Sequence, residues 1–179
     1  MARAFQVGSG GLIVAHLEQQ ERELLAFLLD ELANLVAPAP TVDGTDLFEH
    51  LQAQWESAPV AVAGDPVLSR LFPDAFPDDE QSSADFRRFT EQNLRQLRTN
   101  RIAELRALLD TSDIRLTVDQ GHAVLQVLTD LRLVLGVRLG IRDESPRPPS
   151  QGVALDVYDW LTWLQESLVQ ALFQLPGRS

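Results

Sequence analysis

The chain contains no cysteine and no lysine, and all fifteen of its basic residues are arginine. Without cysteine there is no thiol nucleophile, no disulfide, and no thiolate to hold zinc or an iron–sulfur cluster. Without lysine there is no Schiff base, no pyridoxal anchor, no P-loop lysine and no kinase-type ATP lysine. Histidine is scarce as well. His16, His50 and His122 lie 34 and 72 residues apart, which makes no helical metal pair, and no H-E-x-x-H occurs. The G-x-S-x-G elbow of serine hydrolases is also missing. Paired acids such as Asp78-Asp79 are common in a chain with 26 acidic residues and imply no acid–base chemistry by themselves. The expectation is therefore a protein that is not an enzyme, with no catalytic, cofactor-binding or metal-binding residues.

Long apolar runs are missing too. No stretch of about 18 apolar residues occurs, so no helical membrane span is expected. The start, Met1-Ala2-Arg3-Ala4-Phe5, lacks the charged-then-apolar pattern of a secretory signal, and the expected location is cytoplasmic. What the chain has in quantity is negative charge, a formal −11. A polyanion binder carries positive charge to displace counterions, so direct nucleic-acid binding is not expected. Cationic or mixed partners suit this surface better. With 179 residues and 45% hydrophobic content, the chain has length for one domain and a sizeable core.

Hydrophobic periodicity points to a mainly α fold. Residues 4–16 read as a β-hairpin: Phe5 and Val7 alternate with polar neighbours, Gly8-Ser9-Gly10-Gly11 turns, and Leu12-Ile13-Val14 leans to strand. The glycine cluster lacks the GK[ST] ending of a phosphate loop and reads as a turn. A helix is expected over 18–36, stopped by Ala37-Pro38-Ala39-Pro40. Short helices are expected at Asp46–Gln54 and after the cap Asp65-Pro66, with a small-residue linker from Ser57 to Gly64 between them. Residues 79–110 contain neither glycine nor proline and predict one long helix, the spine of a compact multi-helix domain. Ile114-Arg115-Leu116 could add a strand to a minor sheet. Thr117-x-x-Gln120 has capping-box form and opens a helix over 117–140. Three prolines make 142–152 a mobile loop, and 154–175 is the last helix. Gln20, Leu25, Leu28, Asp30 and Leu35 recur one hundred residues on, which a duplicated strand–helix unit or chance would explain.

Two arginine groups stand out. On an ideal wheel Arg87, Arg88, Arg95, Arg98, Arg101 and Arg106 fall within about 140° on the long helix. They form either a solvated flank neutralised by acids from neighbouring segments or a docking stripe for an acidic or phosphate-bearing partner. Arg132 and Arg138 interrupt an apolar helix, where a charge needs a partner. Asp156 and Asp159 are the expected ones, with Asp130 a local option. The four residues would make a buried ion-pair cluster or an anion pocket between the last two helices. Trp160 shares a face with Val157, Leu164 and Leu168 and is assigned to the core. Trp163 falls on the polar side of its helix, either as a partner contact or beneath the 142–152 loop.

Asp85 to Glu91 (DFRRFTE), Leu131 to Gly140 (LRLVLGVRLG) and Val157 to Leu168 (VYDWLTWLQESL) resemble an actinobacterial family of domains of unknown function. That family includes the AosR-type oxidative stress regulators. The similarity runs from about Asp65 to Leu175, with a weaker echo in the hairpin and first helix. It implies a cytoplasmic, helical, non-enzymatic protein and, in the stress-regulator branch, a redox-responsive regulator working with a transcription (sigma) factor. In the stress-regulator branch it also implies oxidant sensing through paired cysteines, which this chain lacks. The leading expectation is a regulatory protein that acts by docking on a protein partner or on itself, through Arg87, Arg88, Arg95, Arg98 and Trp163. The alternative is a sensor of a small anion held by Arg132 and Arg138.

Overall fold

Alternation of apolar and polar residues at the start of the chain and again near residue 114 produces three short strands. In the computed structural model, which describes residues 3–37, 65–74, 78–141 and 152–175, these are β1 (Arg3–Val7), β2 (Ile13–His16) and β3 (Asp113–Leu116). They form one antiparallel sheet in the order β1-β2-β3. The glycine cluster between β1 and β2 is a single 3₁₀ turn, Ser9–Gly11. Gly10 and Gly11 take φ of 72° and 73°, a conformation that costs a side-chain-bearing residue energy, so the turn needs them. Pairing of β2 with β3 sets Ile13 opposite Leu116 and His16 opposite Asp113. Phe5, Ile13, Ala15, Ile114 and Leu116 point into the core, while Gln6, Val14, His16, Asp113 and Arg115 form the open face.

Five helices are present among the described residues: α1 (Gln19–Val36), α2 (Pro66–Leu71), α3 (Glu80–Leu108), α4 (Val118–Arg138) and α5 (Val153–Gln174). Their starts are chemically marked. Glu18 and Glu21 close a capping box at α1, and Thr117 and Gln120 do the same at α4. Asp65 accepts from the Val67 and Leu68 amides at α2, where Pro66 occupies the first turn, and Asp79 accepts from the Ser82 amide at α3. The two units β2–α1 and β3–α4, one hundred residues apart, thus share a strand–cap–helix plan. With 29 residues α3 runs about 44 Å and is the long helix expected.

The inner face of the sheet packs on α5 and α4. The buried side chains of Leu17, Leu29, Leu32, Leu105, Leu128, Leu161, Leu164 and Leu168 fill one core beneath it. Gly121, in the first turn of α4, sits where a Cβ would come within 2.9 Å of the Ile13 Cδ1 and 3.1 Å of a Leu172 methyl. The missing side chain is what lets α4 approach both β2 and α5. The apolar stripe of α1 is centred on Leu25, Leu29, Leu32 and Val36, with Leu28 and Leu35 packed beside it. Opposite, α1 lies along α3, and α2 lies on α4. The helix expected at Asp46–Gln54 and residues 142–151 of the expected loop lie outside the described residues.

A buried arginine cluster and a candidate docking face

The middle of the arginine flank of α3 faces inward at Arg95 and Arg98, while Arg106 further along is exposed. Arg95 is 9% exposed and Glu91, one turn earlier, 6%. Nε and Nη2 of Arg95 both lie 2.8 Å from Glu91 Oε1, and Nη1 turns to the Leu35 and Ala37 carbonyls at the end of α1. A cation there also meets the negative end of the α1 dipole. Arg98 binds Asp130 Oδ2 at 2.9 Å and the Leu71 carbonyl at 3.0 Å. The Phe72 ring lies between them, 4.7 Å from the Arg95 guanidinium carbon and 4.8 Å from that of Arg98. One flank of α3 therefore gathers α1, α2 and α4. This corrects the docking assignment for Arg95 and Arg98, whose guanidinium groups are spent inside the fold. The side chains of Arg87 and Arg88 lie outside the described residues. Further along, Arg106 pairs with Asp30 at 3.3 Å. Burial raises the Asp130 carboxyl above its ordinary 3.8, and the attraction of Arg98 and Arg101 offsets this only in part.

The second arginine group is also corrected. Arg138, Asp156 and Asp159 are exposed, so these residues do not close into a buried ion-pair cluster with Arg132. Arg132 is half-buried between α4 and α5, where Nη1 donates to Gln165 Oε1 and Nη2 to the Tyr158 hydroxyl at 3.2 Å. Its guanidinium also stacks on the Tyr158 ring, 5.1 Å from the centroid. Gln165 extends the network to the Thr129 hydroxyl. Neutral partners one helix away thus hold this charge, and Asp130 serves Arg98 instead. Two surface depressions stand out, and neither is lined by Arg132 or Arg138.

The outer face of α5 has a different character. On an ideal wheel Asp156, Asp159, Trp163, Glu166, Gln170 and Phe173 fall within about 100°, and all are exposed. Trp163 is 41% exposed and Phe173 86%. The opposite face, Leu161, Leu164, Leu168 and Ala171, is buried against the sheet and α4. Trp160 packs at the core margin, with its indole N–H donating to Glu21 Oε1 at 3.2 Å. The helical wheel identifies Trp163 as a surface residue. Sequence reasoning misses Phe173, although its position beside Glu166 on the same wheel carries the signal.

The open face of the sheet lines a shallow depression of about 320 Å³, with Gln6, Ser9, Val14, His16, Asp113 and Arg115 around it. There His16 Nδ1 lies 2.8 Å from Asp113 Oδ1. His122 is exposed on α4, and His50 lies outside the described residues. Among the described residues no group of three or more histidines and acids is placed to hold a metal, and no helix is long and apolar enough to cross a membrane.

Residues 2–172 match the profile of a family described as a domain of unknown function, DUF2017. The curated relatives include the oxidative stress regulator AosR of Mycobacterium tuberculosis H37Rv and that of Mycobacterium bovis. Each is 35% identical over 128 residues, 61% of this chain and 59% of the relative. The AosR protein of Mycobacterium leprae is 34% identical over 127 residues, 60% of this chain and 58% of its own length. The chain thus spans somewhat over half the length of the relatives it matches. No solved structure is significantly similar to it. The chain belongs to the DUF2017 family.

Proposed function

We propose that this DUF2017 protein is a non-enzymatic regulator that works by protein–protein docking, in stress or transcriptional regulation, through the outer face of α5. The names of its relatives support the regulatory half of this reading. The single observation that carries the docking half is the pair of exposed aromatics, Trp163 and Phe173, set in a row with Asp156 and Glu166. Large aromatic side chains bury much area at low entropic cost and are the usual anchors of an interface. The flanking carboxylates select a partner with a basic surface, in keeping with the net charge of −11. A transcription factor with an exposed arginine- or lysine-rich helix is the partner class to test first. With no cysteine in the chain, no response to oxidant can come from a thiol here.

The test is affinity capture from the native cytoplasm with the wild-type chain and with Trp163→Ala/Phe173→Ala, partners being identified by mass spectrometry. The expected outcome is selective loss of a basic partner from the double variant while its circular dichroism spectrum stays that of the wild type. Retention of every partner by the folded double variant would remove α5 as the docking face.

A further inference from the structure

The outer face of α5 repeats its own chemistry when followed in reverse. Trp163 and Phe173 lie five residues either side of Leu168, and Glu166 and Gln170 lie two residues either side of it. Leu168 is buried, and the four flanking residues stand on the opposite side of the helix, within about 80° of one another. All four are exposed, Phe173 most of all. Glu166 and Gln170 make no hydrogen bond or ion pair among the described residues.

Such a face is complementary to a second copy of itself. Two α5 helices laid antiparallel about a two-fold axis at the level of residue 168 bring Trp163 and Glu166 of one chain level with Phe173 and Gln170 of the other. By symmetry the match is made twice. Each indole meets a phenyl ring, and each Gln170 amide can donate to the Glu166 carboxylate opposite, a charge-assisted hydrogen bond. Moving the axis one residue either way sets Gln170 or Glu166 level with the inward-facing Leu168 and loses the match. Parallel pairing instead sets Glu166 on Glu166 and Asp156 on Asp156, and like charges repel. The antiparallel pair keeps the acids at the helix start apart. Asp156 lies twelve residues from the axis, so its two copies are separated by about 36 Å along the helices, several Debye lengths at physiological salt.

We propose that two chains pair through this face in the absence of a partner, α5 against α5 and antiparallel about residue 168, and that the pairing hides Trp163 and Phe173 until a docking partner displaces the second copy. The masking role rests on the docking reading above, because partner and second copy compete for the same two aromatics. Four aromatic side chains and their polar neighbours bury about 1,000 Å² in all, the low end for a specific interface. The pair is therefore weak and exchanges readily, as a displaceable mask must. An isologous contact closes on itself, so the product is a dimer and nothing larger.

The experiment is sedimentation equilibrium of the full chain in about 150 mM salt, from about 1 µM to about 1 mM protein. Wild type is expected to show a monomer–dimer equilibrium with a Kd of about 10–100 µM. Phe173→Ala is expected to weaken it by at least about tenfold. Gln170→Arg, facing the partner's carboxylate, should tighten it by about threefold or more, and Gln170→Glu should weaken it by a similar factor. Phe27→Ala removes an aromatic of comparable exposure from α1 and should leave the dimer within about twofold of wild type. All these positions are exposed, so the fold should survive, and circular dichroism checks that. A chain that stays monomeric throughout overturns the proposal. So does a dimer that tolerates Phe173→Ala, weakens as much with Phe27→Ala, or fails to tighten with Gln170→Arg. A monomeric wild type whose Trp163→Ala/Phe173→Ala variant still loses its captured partner would overturn self-pairing alone. A dimer abolished by Phe173→Ala beside unchanged partner capture would overturn the docking reading and the masking role, while the pairing stands.

Discussion

Replacing Arg95 with methionine separates a charge that holds the fold together from one that awaits a partner. Methionine keeps the long unbranched stem and a similar helix propensity, so the change removes mainly the guanidinium. In the folded protein that group neutralises Glu91 from 2.8 Å, with both side chains at least nine-tenths buried. Breaking a buried pair on one side costs about 3–5 kcal/mol, because the remaining charge stays buried without compensation. Glu91 is poorly placed to absorb the loss, since its Oε2 already has no hydrogen-bond partner among the described residues. Part of the cost is the stacking of Arg95 on Phe72, about 0.5–2 kcal/mol. A domain with total stability of about 5–15 kcal/mol would feel such a change strongly. Exchanging both members, Glu91→Leu/Arg95→Met, leaves no orphaned charge and should return the protein to within about 1 kcal/mol of wild type. Urea denaturation followed by circular dichroism measures all three. A loss below about 1 kcal/mol for the single variant, or a double variant no more stable than the single, would refute the account of a buried, mutually dependent pair.

Three further substitutions probe α4. Gly121→Ala should destabilise by about 1 kcal/mol, because crowding against Ile13 and Leu172 outweighs the gain in helix propensity. Gly136→Ala should instead stabilise by about 0.5–1 kcal/mol, since its Cβ would meet only Tyr158 at 3.5 Å; thermal denaturation of the pair reads the contrast. The raised pKa of Asp130 means that the folded protein keeps a proton the unfolded chain has released above 3.8. Its contribution is therefore full below that value and lost as pH rises through the folded pKa. The stability of wild type relative to Asp130→Asn should fall across this window, and a rise would show that Arg98 outweighs burial.

Elements with local causes are legible in the sequence alone. Strand alternation at Phe5–Val7 and Ile114–Leu116, the capping box at Thr117, the Asp65-Pro66 start and the unbroken run into α3 all depend on residues within a turn or two. The exposed side of α5 is half legible: Trp163 stands out by being large on a polar face, and Phe173 lies near the end of the helix, where periodicity says less. The arginines mislead for a different reason. A helical wheel shows which residues share a flank and is silent on what packs against it.

The residue inventory by itself determined that the chain has no thiol or lysine chemistry and must carry all permanent side-chain positive charge on arginine. Local pattern determined where strands and helices begin. Only the tertiary structure decided what each arginine does. Arg98 meets an aspartate 32 residues away, and Arg95 meets the end of a helix 60 residues away. Arg132 finds Gln165 and Tyr158 across a helix interface rather than the acids nearby in sequence. A charge is stabilised by whatever surrounds it in space. In a folded chain those surroundings come from segments that sequence spacing does not bring together.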